Sequence, residues 1–310
     1  MDLPTLLITG SDGLVGRYAV RMLSESYRVV ATSRQGVAFD QKNVSIVNVD
    51  LQNAHEVQRL ISIQPDVIVH LAAALPFNAN DDAVVATNKS IDLNIFNLAK
   101  AANSGVVFCS TVSVYGGQAG PWVESLPLNP ASNYALAKLR SEDLFSRLGS
   151  GAMSLRISSP YGATHPSRNG VLYHFARESL AGRRLTIYGG GSRTQDFVHA
   201  LDIAHSVNRV VESWSKRTGL ASRGVLNVAS GNPISMSELS LLILSLTDNP
   251  KPLVYADDEG DERYRSHVSI TKAARLINWK PLISLKCGLA HFLRTLEDKN
   301  EDWFAIRCAR

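Results

Sequence analysis

Tyr134 stands four residues before Lys138 in "NYALAK", residues 133 to 138, on a stretch that reads as a helix. Side chains at that spacing are neighbours on a helix surface, so an ammonium lies beside a phenol. The pair is either a proton donor held next to a fixed charge or an interfacial aromatic beside a solvated lysine, and by itself it does not choose. A phenol with a pKa near ~10 is a poor acid-base group at neutral pH, but an adjacent positive charge favours the phenolate and lowers that value.

A second group of residues has the chemistry of an anion cradle. In "TGSDGLVG", Gly10, Gly13 and Gly16 close an apolar run and open a helix, with Asp12, Leu14 and Val15 in the same loop. Glycines there allow a tight turn and close backbone approach, and a helix N-terminus offers unpaired N–H groups to a pyrophosphate. The next apolar run ends in "ATSRQG". Dinucleotide folds that take NAD usually carry Asp or Glu at that point, whereas Ser33 and Arg34 can receive a 2′-phosphate, so NADP(H) is favoured over NAD(H). Arg34 could equally be solvated or stacked on adenine. Asp50, in "VDL" with Leu51, is placed to accept from the adenine amino group, or is an ordinary strand-end Asp. Leu71, Ala72 and Ala73, in "HLAAA", are small enough for backbone to pass close to a coenzyme, and His70 before them reads as a packed histidine.

These residues need a scaffold, and the pattern around them supplies one. Short β-rich runs at 5 to 10, 28 to 33, 44 to 49, 66 to 73, 106 to 115 and 153 to 158 alternate with helical stretches. Several runs are apolar on both faces, as strands of a parallel sheet covered by helices should be. The expected fold is α/β, a doubly wound parallel sheet of Rossmann type. Residues 1 to 160 are expected to form its dinucleotide-binding domain, with part of the later chain returning to it. Residues 161 to 310 are expected to form mainly a smaller, mixed α/β substrate-binding lobe.

With 310 residues, 45% of them hydrophobic, the chain can bury a large core, which excludes a disordered chain. The net charge of +4 is spread along the sequence without a dense Lys/Arg tract, so a small anionic ligand is expected and a nucleic acid is not. Without a membrane-length apolar run or a basic-flanked leader in "MDLPTLLITG", a cytoplasmic protein with no membrane partner is expected. Cys109, Cys287 and Cys308 lack metal-ligand spacing, so no metal is expected and all three read as reduced thiols.

Taken in order, "TGSDGLVG", "VDL", "HLAA", "STVSVYG", "YALAK", "LRISSPYG", "YGGGSRTQDFVHALD" and "NWKP" resemble the extended short-chain dehydrogenase/reductase family, from about residue 4 to 293. That family is also called the NAD-dependent epimerase/dehydratase family, and most members act on nucleotide-activated sugars. The resemblance implies that Tyr134, its phenolate favoured by the Lys138 ammonium and by the positive nicotinamide ring, exchanges a proton with a sugar hydroxyl or carbonyl, and that Lys138 also binds the nicotinamide ribose. It implies that Thr111 hydrogen-bonds the reacting oxygen, and that Ser159 and Pro160 lie against the cofactor. A homodimer through helices at roughly 84 to 103 and 133 to 148 is also implied.

Departures from the family pattern narrow the reaction. The 4,6-dehydratases carry an Asp-Glu pair after the Thr, where this chain has Val112 and Ser113, and the fucose synthase branch has Cys at Ser113. Hydride chemistry alone remains: a nucleotide-sugar 4-keto reductase, favoured by Ser33 and Arg34, or a 4-epimerase that keeps its NAD. The usual Gly-Ser-Gln-Thr-Arg-Asp-Phe segment has its Gln and Arg exchanged, giving Arg193 and Gln195. Arg193, Gln195 and Arg263, with Arg265 as a competitor for the last, are the expected phosphate-side residues. Thr111, Val112, Ser113 and Ser159, which replaces a common Asn, complete the expected substrate site. A reductase of a non-nucleotide carbonyl and a non-catalytic dinucleotide sensor are the readings from other classes.

Overall fold

The computed structural model describes residues 3–34, 36, 38–75, 81–149, 151–163, 170–215, 223–257, 265–298, 302 and 304–306. The chain begins with β1 (Thr5–Thr9), α1 (Leu14–Leu23), β2 (Arg28–Ser33), β3 (Val44–Asn48), α2 (Ala54–Arg59), β4 (Val67–His70), α3 (Asp82–Ala102) and β5 (Gly105–Thr111). After a 3-10 turn over Val112–Tyr115 come α4 (Asn133–Ser146), β6 (Ala152–Ile157), β7 (Ser159–Tyr161), α5 (Val171–Leu180), β8 (Thr186–Tyr188), β9 (Thr194–Gln195) and β10 (Phe197–His199). The remainder is α6 (Ala200–Ser215), β11 (Arg223–Val228), β12 (Ile234–Ser235), α7 (Met236–Leu246), β13 (Val254–Ala256), α8 (Thr271–Ile277) and α9 (Leu285–Glu297).

Seven strands form one parallel sheet in the order β11-β6-β5-β4-β1-β2-β3. Its strands are apolar at consecutive positions because alternate residues serve two cores. Leu6, Ile8, Val29, Ala31, Val69 and Leu155 face α1 and α6, whereas Leu7, Val30, Ile68, Val106 and Phe108 face the α2, α3 and α4 side. The expected doubly wound α/β sheet is therefore present. The chain winds outward from β1 to β3, then returns beside β1 as β4 and winds the other way. A crevice forms where the winding reverses, at the carboxyl ends of β1 and β4.

Three strand readings change. The run at 66 to 73 is a strand only over Val67–His70. The run at 106 to 115 stops as a strand at Thr111, whose hydroxyl accepts from Ser113 N–H and turns the backbone into the 3-10 segment. The seventh strand, β11, is an addition; Gly224 at φ +143° and the buried polar Asn227 interrupt the apolar pattern that would have marked it.

Beyond the sheet, three short pairs, β7 with β10, β8 with β13 and β9 with β12, stand with α5, α7 and α9 around a third core that includes Phe175, Leu239, Ile243, Leu289 and Phe292. Trp279 of "NWKP" is buried in the sheet-side core, its indole N–H donating to the Asp202 carbonyl at 3.0 Å. Cys109 is a free thiol, but Cys287 is disulfide-bonded, which corrects the reading of three reduced cysteines. Among the described residues no helix is long and apolar enough to cross a membrane.

Candidate active site

The crevice is built first by close backbone approach. Gly10 has φ +69°, and a Cβ there would lie 2.6 Å from Ala72 N. A Cβ at Gly16 would lie 2.1 Å from the Gly10 carbonyl oxygen, so a side chain at either position would force the loop open. The turn is closed by Gly13 N–H donating to the Gly10 carbonyl at 3.0 Å. Gly13 then caps α1 with no side-chain hydrogen bond and no acidic residue follows in the first turn, which leaves the helix N-terminus suited to an anion. Leu14 and Val15 begin α1, and the backbone of Leu71 and Ala72 faces Gly10, with half-buried Ala73 following. These features fit a dinucleotide pyrophosphate.

Ser33 is buried at the end of β2, and Arg34 is exposed beside it. The Ser33 hydroxyl donates to an Asp12 carboxylate oxygen at 2.5 Å. Asp50 is exposed and uses one carboxylate oxygen to accept from Gln52 N–H at 3.0 Å, while Leu51 beside it is buried.

α4 carries the expected proton-transfer pair, Tyr134 and Lys138. Ser132 starts it by accepting from Ala135 N–H at 3.2 Å, which puts Tyr134 in the first turn and Lys138 one turn later. α4 packs on β5 and on the turn after it, where Thr111 closes the strand. Lys138 is buried, donates from Nζ to the Cys109 carbonyl at 3.0 Å, and lies 4.7 Å over the Phe108 ring. Burial pushes the Tyr134 phenol up, and the Lys138 charge opposes it without offsetting it. In the protein alone the phenol is therefore raised; the expected lowering counts the charge of the nicotinamide ring together with that of the ammonium. Burial works against the Lys138 ammonium, yet Tyr134, Asp92, Cys109 and Glu142 more than compensate and hold it above its ordinary value.

The polar stripe continues along α4 beyond the expected pair. Ser141 donates to Asp92, and Asp92 in turn bonds His70 Nε2 at 2.9 Å. His70 Nδ1 reaches Thr9 Oγ1 at 2.7 Å, and that oxygen accepts from Ala72 N–H at 3.3 Å, so the packed histidine ties α3 to the backbone that faces the glycine turn. Glu142 accepts from Ser110 and from Arg156, whose Nη2 lies at 2.8 Å. Arg156 also donates to the Tyr115 oxygen at 3.1 Å, and Tyr115 donates to Asn227 at 2.7 Å. Sequence reasoning missed Asp92, Glu142 and Arg156. A signal was present for Glu142, which stands four residues after Lys138 on the same helix face.

The expected substrate residues are less closely gathered. Val112 is buried with Val114, Tyr115 and Trp122, whereas Ser113 is exposed and accepts from the Thr111 hydroxyl at 3.1 Å. Ser159 opens β7, with Pro160 exposed after it, and the Gln195 amide donates to the Ser159 hydroxyl. Arg193 is exposed on the loop before β9. Arg265, also exposed, donates to Ser192 at 3.2 Å. Arg263 lies outside the described residues.

Known proteins resemble this arrangement along the whole chain. A UDP-glucose 4-epimerase of Mycolicibacterium smegmatis is 28% identical over 95% of this chain and 99% of its own. The UDP-glucuronic acid decarboxylase 1 of Danio rerio is 28% identical over 96% of this chain and 74% of its own. The structure of a Thermotoga maritima UDP-glucose 4-epimerase with UDP-glucose superposes with a TM-score of 0.82 at 23% identity, covering 95% of this chain and 100% of that one. The Bordetella bronchiseptica enzyme WbmG, in complex with NAD and UDP, gives a TM-score of 0.82 at 19% identity, covering 100% of this chain and 99% of that one. Residues 6–229 match the NAD dependent epimerase/dehydratase family. With its glycine turn, doubly wound sheet and Tyr134–Lys138 pair, the chain is an enzyme of the short-chain dehydrogenase/reductase type and belongs to that family.

Proposed function

We propose that this enzyme is a nucleotide-sugar 4-epimerase acting at the C4 hydroxyl. The observation that carries this reading is the buried Lys138 next to Tyr134 on α4, with Val112 and Ser113 after Thr111 in place of an acid-base pair. A nicotinamide coenzyme held in the glycine-turn crevice supplies the hydride acceptor and donor. Tyr134 takes the proton of the C4 hydroxyl and returns it to the oxygen after the sugar face has changed. Lys138 holds a fixed positive charge beside the phenol, and Thr111 orients the reacting oxygen. Neither the Val112 methyl groups nor the Ser113 hydroxyl can act as an acid or base on a sugar carbon.

The relatives named as UDP-sugar enzymes support a nucleotide diphosphate as the substrate handle. Arg193, Gln195 and Ser159 are the described residues proposed to meet it, and Arg263 is proposed with them. The test is incubation with UDP-, dTDP- and GDP-linked hexoses without added coenzyme, followed by chromatography of the sugars. Interconversion of C4 epimers supports the reading, and no conversion of any of them contradicts it.

A second reading is a 4-keto reductase using NADP(H), favoured by the exposed Arg34 at the end of β2. It requires net consumption of added NADPH in the presence of a 4-keto sugar. A cytoplasmic homodimer through α3 and α4 belongs with either reading. The two helices pack side by side, and Leu93 on α3 is 45% exposed. Light scattering at micromolar protein should return a dimer mass, and a monomer mass would contradict it.

A further inference from the structure

Ser33 stands about twenty residues beyond the glycine turn, where dinucleotide folds that take NAD place a carboxylate to accept from the adenosine ribose 2′-hydroxyl. Ser33 has no such carboxylate, but one reaches the same point from the other side. Asp12, in the glycine turn, has Oδ2 2.5 Å from the Ser33 hydroxyl, which donates its proton there. The Ser33 oxygen meanwhile accepts from Gly36 N–H at 2.9 Å. The hydroxyl thus has no second proton for a phosphate.

The turn that presents Asp12 is fixed to the end of β2. Ser11, fully buried, donates to the Thr32 carbonyl at 2.8 Å, and Arg17 Nε donates to the Asp12 backbone carbonyl at 3.2 Å. The second carboxylate oxygen, Oδ1, takes a long 3.5 Å contact from Ser11 and keeps lone pairs for an outside donor. A ribose hydroxyl can donate to it, whereas a 2′-phosphate brings like charge against it. Arg34 acts in the opposite sense, but it is exposed and its attraction is screened by water.

Resting on the reading that the glycine turn holds a dinucleotide, we propose that Asp12 replaces the missing strand-end carboxylate and selects the coenzyme that lacks a 2′-phosphate. Ser33 is a positioning residue that holds the Asp12 side chain at the ribose.

Calorimetric titration of the purified protein with NADH, NADPH and 2′-deoxy-NADH tests this. NADH should bind at least about tenfold more tightly than either of the others, the ratio of one charge-assisted hydrogen bond. Asp12→Asn keeps the side-chain shape, removes the charge, and should bring NADPH within about threefold of NADH. Wild-type protein that binds NADPH as tightly as NADH, or an Asp12→Asn variant whose ratio is unchanged, overturns the assignment. If that variant does not fold, the 2′-deoxy comparison on the unaltered protein decides, since equal binding with and without the hydroxyl leaves Asp12 no role. Binding of none of the three would overturn the dinucleotide site itself, which separates the failure of that reading from failure of the Asp12 assignment.

Discussion

The helix that carries Tyr134 and the lobe that carries Arg193 hold their polar groups in opposite ways. Lys138, Ser141 and Glu142 are buried, and each bonds a group in another element: the Cys109 carbonyl, Asp92 and Arg156. Arg193 and Arg265 stand exposed on loops, and Gln195 is half-buried against Ser159. A buried charge has to be positioned by neighbours because leaving it unpaired costs far more than at the surface. The Tyr134 end is therefore fixed by its own neighbours, whereas Arg193 and Arg265 are long side chains at the surface.

Breaking the fixed end should give the largest effect. Glu142→Ala leaves the Arg156 guanidinium buried without its carboxylate, and equilibrium urea unfolding should show a loss of about 3 to 5 kcal/mol. A loss below about 1 kcal/mol would mean that the pair is already hydrated and that α4 is not anchored by it.

Tyr134→Phe separates chemistry from anchoring, since it removes one hydroxyl and little packing. Turnover should fall at least ~100-fold while coenzyme affinity and melting temperature stay nearly unchanged. A variant that keeps more than about a tenth of kcat would remove Tyr134 from the proton-transfer role.

The same contrast governs what could be read from the chain itself. Six of the seven sheet strands show as apolar runs, the inner ones because both faces of the sheet are covered there, and "TGSDGLVG" marks its own turn because only glycine tolerates the Gly10 and Gly16 approaches. The Tyr134–Lys138 spacing is likewise local. What was not legible depends on contacts between distant segments. Arg156 meets Glu142 across β6 and α4, and Asp12 meets Ser33 across the crevice, although both members of each pair are visible in the sequence. The burial that raises the Tyr134 phenol in the protein alone was also hidden, because the neighbouring ammonium is a local feature but the degree of burial is a property of the folded chain.

The exposed end should respond more gently. Arg193→Ala should leave the unfolding free energy within about 0.5 kcal/mol, because the side chain is exposed on a loop. It should weaken UDP binding about tenfold in a calorimetric titration, the value of one charge-assisted hydrogen bond to a phosphate. Unchanged UDP affinity would assign the nucleotide to other residues of the lobe and remove Arg193 from the site.

The central claim is that the only bond to carbon made or broken is the C4–H bond, through hydride, with Tyr134 handling a proton on oxygen alone. Turnover of a nucleotide sugar in D2O, followed by mass spectrometry and NMR of the product after back-exchange of its hydroxyls, tests it directly. The account predicts a product with no deuterium on any ring carbon or on C6. Deuterium at a carbon would show that a solvent-derived proton reaches it, which neither Val112 nor Ser113 can deliver, and would contradict the assignment.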